Sequence, residues 1–118
     1  MIIPAPDEAL WVGVMRLGLT VPGSRTLKDK RQALHSVRDR LRARHKLSVA
    51  EVGHHDDVAR AVLALAMVGN DPAFLRSALD GLRHEVEGWG QVWIDACDVT
   101  ILRPWDGGAP GRYDARHG

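Results

Sequence analysis

Arg31, His35, Arg38, Arg42 and Lys46 follow one another at steps of four, three, four and four residues. That spacing keeps side chains on one flank of an α-helix. Lys28 joins the series at its start, and Lys30 stands beside it. Guanidinium and ammonium groups at such intervals suit phosphate, because they combine charge with directed donors. Their binding to a nucleic-acid backbone also releases condensed counterions. A helix of about 19 residues spans roughly 28 Å, long enough to follow several phosphates. Lys28, Lys30, Arg31, Arg38, Arg42 and Lys46 are therefore the candidate nucleic-acid contacts. The competing reading is a solvated helix face whose aliphatic stems cover a seam. Charge distribution weighs on the choice. From Arg25 to Lys46 there are nine Lys or Arg against Asp29 and Asp39, so this segment carries +7 and the rest of the chain −6. What decides is whether the acids of the remainder reach these cations in three dimensions.

A second cluster, Glu51, His54, His55 and Asp56, has the residue types of a metal site. Adjacent histidines on extended backbone point apart, however, and no distant third ligand is identifiable. His54, His55 and Asp56 are thus weak metal candidates, and a polar turn between two strands explains them as well. Nucleophile chemistry has less support. There is no Gly-x-Ser-x-Gly and no phosphate loop, and Gly107-Gly108-Ala109-Pro110-Gly111 lacks a strand and helix around it. Cys97 lies within a strand pattern, where a buried, inert thiol is expected. Ser24 and Ser48 have no base beside them. No catalytic residue and no cofactor are expected.

At 118 residues, with 45% hydrophobic and 26% charged side chains, the composition fits one globular domain. One cysteine excludes an internal disulfide and a CxxC motif. No run approaches the roughly 18 apolar residues of a membrane span, and the N-terminus has neither the basic start nor the apolar stretch of a signal peptide. A cytoplasmic location is expected.

The elements that must position the basic series read as follows. Trp11 to Val21 alternates as a strand and ends at the turn Pro22-Gly23. Thr26 and Asp29 form a capping box that opens a helix running to about Lys46. Its apolar stripe is Leu27, Leu34, Val37 and Leu41. Leu47 to Val52 is a short strand. Ala59 to Gly69 is apolar on both faces, as a central strand is, although its Ala and Leu also favour helix. Asp71-Pro72 caps a second helix carrying Leu75, Leu79, Leu82 and Val86, with Gly88 and Gly90 at its end. Gln91 to Leu102 is a last strand. The order β-α-β-β-α-β defines an α+β, ferredoxin-like split β-α-β fold: a four-stranded antiparallel sheet with both helices on one face. The domain is expected over residues 11–105, preceded by an extension over 1–10 and followed by a flexible Gly-rich tail over 106–118.

Val12-Gly13-Val14, Pro22-Gly23, the block Leu27-Lys28-Asp29-Lys30-Arg31, Ser48 to Val52, His54-His55-Asp56 and Asn70-Asp71 together resemble the bacterial YlxP family of uncharacterised proteins, over about residues 11–102. The resemblance implies a ferredoxin-like fold. It also implies gene neighbours in transcription, translation initiation and ribosome maturation, hence partners among RNA or ribosomal particles. RNA-recognition modules of this architecture stack bases on aromatics of the central strands; the third strand here has none, so contacts should come from helix and loops. The sheet's far face should be apolar and open, which predicts a homodimer. The second functional reading is a homodimeric protein-interaction module whose basic helix meets an acidic partner. A small-molecule enzyme or binding protein is the third reading.

Overall fold

A computed structural model describes residues 10–106 and 109–110. The chain runs β1 (Trp11–Thr20), α1 (Leu27–Arg44), β2 (Ser48–Gly53), β3 (Arg60–Gly69), α2 (Pro72–Trp89) and β4 (Trp93–Leu102). A two-rung ladder follows, β5 (Trp105–Asp106) with β6 (Ala109–Pro110). The four long strands form one antiparallel sheet in the order β2-β3-β1-β4. This is the ferredoxin-like arrangement that the element order predicts. The expected extension and most of the Gly-rich tail lie outside the described residues.

Local chemistry accounts for the boundaries. Gly23 takes φ 75° in the turn after β1, a conformation open to glycine at little cost. Thr26 Oγ1 accepts from Asp29 N at 3.0 Å, while the Asp29 carboxylate reaches past the cap residue to Arg25 N at 3.1 Å. Asp71 caps α2 by accepting from Ala73 N and Phe74 N, with Pro72 behind it in the first turn. Gly88 does not end this helix as expected; Gly90 does, in the left-handed conformation at φ 72°. α1 stops at Arg44, so Lys46 stands in the connection to β2 rather than on the helix. β3 is a strand despite its helix-forming residues, because β1 and β2 pair with it on both sides. Tertiary pairing overrides propensity there.

The core lies between the helices and one sheet face. Met15, Leu17 and Leu19 of β1 and Ala61, Leu63 and Leu65 of β3 meet Leu34, Val37 and Leu41 of α1 and Leu79, Leu82 and Val86 of α2. Gly13 belongs to this layer for want of a side chain. A Cβ there would stand 2.9 Å from Leu79 Cδ1. Two expectations about the inner layer need correction. Leu27 is 37% exposed, and its place in the buried row of α1 is taken by Lys30, only 3% exposed. Cys97 is exposed, not buried. Desolvation by its neighbours nevertheless pushes its thiol above the ordinary range.

The opposite sheet face carries Val12, Val14 and Arg16 of β1, Val62, Ala66 and Val68 of β3, and Ala96, Asp98 and Thr100 of β4, in matching rows. No described element covers it. Among the described residues, no helix is long and apolar enough to cross a membrane.

Candidate nucleic-acid interface

The two flanks of α1 meet different surroundings. Along the flank toward α2, the cations are already engaged. Arg44 Nε pairs with Glu85 at 3.0 Å, and His45 Nε2 lies 2.9 Å from the same carboxylate. The Arg40 guanidinium sits 4.3 Å above the Trp89 ring and reaches Gln91 Oε1 at 3.4 Å. A cation over an indole face is attracted by its quadrupole. These three residues, outside the candidate set, tie the helices together.

Along the flank toward β2 the picture reverses. Arg31, His35 and Arg38 line one side of a groove of about 140 Å³, with Val49, Ala50 and Glu51 of β2 opposite. Lys28 and Arg31 are exposed, as is Lys46. None of these three has an acidic partner among the described residues. Among the described residues, the polar partner of the Arg38 guanidinium is its neighbour Asp39, at 3.3 Å, in a pair open to solvent. Such pairs contribute about 0–1 kcal/mol and compete poorly with a phosphate. Arg42 gives one donor to the Val49 carbonyl at 3.3 Å and keeps its remaining donors. Among the described residues, one acid from outside the helix pairs on each side: Glu85 with Arg44 and His45, and Glu51 with Lys30.

Lys30 departs from the expected set. Its ammonium donates to the carbonyls of His54 at 2.7 Å and Arg60 at 3.0 Å, with His55 at 3.5 Å, and lies 3.3 Å from Glu51 Oε2. That carboxylate oxygen is buried and accepts no hydrogen bond, so the ion pair alone compensates it. A buried ammonium with its donors used cannot meet an external phosphate. Lys30 instead fastens α1 to the β2–β3 turn. Lys30 lies four residues before Leu34, and this spacing is the sequence signal for the buried row that its charge conceals.

The turn it holds contains the weak metal candidates. His54 adopts φ 58°, a left-handed conformation uncommon for any residue but glycine. Its carbonyl also accepts from Asp57 N at 3.0 Å. The His55 ring rests on the Glu51 carbonyl at 3.2 Å, which makes Nε2 the protonated nitrogen. His54 itself lines a hollow on the open sheet face. No three His, Cys, Asp or Glu among the described residues are grouped to hold a metal.

Asp29 and Asp57 supply a pH test of this framework. The Arg25 amide holds the Asp29 carboxyl below its ordinary value, and the Ala59 amide, with that of Arg60, does the same for Asp57. A folded-state value below the unfolded one stabilises fully above the ordinary value and is lost as pH falls through the depressed one. Thermal melts are expected to show stability falling below about pH 4. The fall should be shallower in the Asp29→Asn, Asp57→Asn double variant, whose amides keep an acceptor but do not titrate.

The fold and this groove define a small ferredoxin-like α+β domain with a basic cleft beside its edge strand. By the match of a family model to residues 12–99, the chain belongs to the DUF503 family, proteins of unknown function. No curated protein matches the chain. Among solved structures, a C-terminal segment of the alpha subunit of aIF2 from Pyrococcus abyssi aligns at 17% identity and a TM-score of 0.40. The alignment covers 80% of this chain and 51% of that one. So distant a likeness carries no weight for function.

Proposed function

We propose that this protein is a non-enzymatic RNA- or ribosome-associated protein that grips phosphate backbone with the β2-facing flank of α1. The observation that carries this reading is the groove in which Arg31, His35 and Arg38 stand together with no acid but Glu51 on its walls. Lys28 extends that surface at one end; Arg42 and Lys46 extend it at the other. The YlxP resemblance, with the translation-related gene neighbourhood it implies, favours RNA over other polyanions.

Binding would rest on charge and shape. On the open sheet face β3 carries no aromatic, so the central-strand stacking platform of RNA-recognition modules is missing from that strand. Four phosphates engaged on single-stranded RNA give a slope of roughly −3 for log affinity against log salt. Fluorescence anisotropy of a labelled structured RNA, titrated from 50 to 300 mM salt, measures that slope. Affinity independent of salt would sink the proposal. A tight complex with an acidic protein that survives ribonuclease would replace it with the protein-interaction reading.

A further inference from the structure

We propose that the open sheet face is a self-complementary surface and that two copies of this chain pack through it about a two-fold axis running along β1. The argument comes from the register. β1 is flanked by β3 on one side and β4 on the other, and its outward residues fall in rows across all three strands. A two-fold along β1 keeps each row in place and exchanges its β3 and β4 ends. Whatever β3 carries in a row must then suit what β4 carries in the same row.

It does so towards both ends of the face; in the middle row Ala64 meets Asp98, and the two Arg16 guanidiniums face each other at the axis, each held by its own Asp98 at 2.7 Å. Val68 and Leu102 share the Val12 row, both exposed at 70% and 37%. These would meet as two symmetric aliphatic contacts. In the next row Ala66 meets Thr100 across Val14. Val62 meets Ala96 across Gly18, where small side chains let two sheets approach to about 10 Å. At the far end Arg60 stands on the β3 side, near enough to Asp57 to favour its carboxylate but in no ion pair among the described residues. Asp95 stands on the β4 side, where among the described residues its carboxylate accepts only from the Thr20 hydroxyl, at 2.6 Å. The axis brings Arg60 of each copy to Asp95 of the other, twice per dimer.

Two further observations fit. Beside Arg60 lies a hollow of about 410 Å³, walled by His54, Arg60 and Asp95 over a floor of Gly18, Val62 and Ala96. Trp93, in the Thr20 row at the β4 end, is 61% exposed. The same exchange carries the indole of a second copy over this hollow, where it can fill the space and lie against Arg60. Three strands of ten residues and one of six, about 4.8 Å apart, present a face of roughly 30 by 20 Å, about 600 Å² a side, at the lower end of specific interfaces.

Sedimentation equilibrium of the full chain tests this. The natural protein should be a dimer at micromolar concentration. Arg60→Asp and Asp95→Arg each place two like charges in contact, so each should weaken dimerisation by about 100-fold or more. The double exchange should restore it, while circular dichroism melts show all four proteins folded. A natural protein that stays monomeric at about 100 μM overturns the proposal. So does a dimer indifferent to either single reversal, or a folded double variant that fails to recover association.

Discussion

Lys30→Met is expected to lower the unfolding free energy by about 3 kcal/mol, the largest loss from any single change away from the apolar core. Methionine fills nearly the same volume, so packing survives while the charge goes. The Glu51 carboxylate then keeps a buried oxygen with no cation within reach, and the carbonyls of His54 and Arg60 lose the donor that satisfies them. Removing one member of a buried pair costs about 3–5 kcal/mol in measured cases. The lower end applies because Glu51 retains a partly open side, 29% exposed. For a domain of this size the melting temperature should drop by roughly 10 °C. Adding Glu51→Gln should recover part of the loss, since a neutral amide tolerates the site better than an orphaned anion. Urea unfolding of the three proteins measures both effects. A Lys30→Met protein within about 0.5 kcal/mol of the natural one would mean that the contact is formed but contributes nothing.

The second large effect falls on binding. Arg31→Glu with Arg38→Glu should weaken affinity for structured RNA by roughly 100-fold at 100 mM salt and flatten the salt slope by about two. Both residues line the groove, and neither supports the core. The melting temperature should therefore stay within a few degrees. Arg40→Glu with Arg44→Glu makes the matching control, with the same change in net charge. Those guanidiniums face Trp89 and Glu85, so their reversal should lower stability and leave RNA affinity much closer to that of the natural chain. If the two pairs weaken binding equally, the effect belongs to total charge and the groove has no special part in it.

The elements could be read from residue patterns because each carries its own punctuation. Thr26 and Asp29, Asp71 with Pro72, and Gly90 act through neighbours three or four positions away, within the range of local pattern. The strand alternation of β1 likewise reports its own two faces. The site was harder. The spacing of Arg31, Arg38 and Arg42 showed a common flank but not what the flank would face. Arg40 and Arg44 differ from them only by rotation about the helix, and their partners Trp89 and Glu85 lie more than forty residues on. Lys30 shows the same limit from the other side. Composition groups it with surface cations, while its four-residue offset from Leu34 puts it inside. Only the carbonyls of a turn 24 to 30 residues away make that position tolerable.

On the outermost strand β2, alternate carbonyls are occupied: Val49 by Arg42 and Glu51 by His55. Alternate groups are those an antiparallel strand turns away from its neighbour, and among the described residues β4 has no comparable side-chain cover. Runaway polymerisation through strand edges needs two adhesive ends per molecule, one to join and one to extend. This molecule offers one. The sealed β2 border therefore terminates growth on its side, whatever partner the β4 border or the open face takes. Loss of both Arg42 and His55 would remove that terminator.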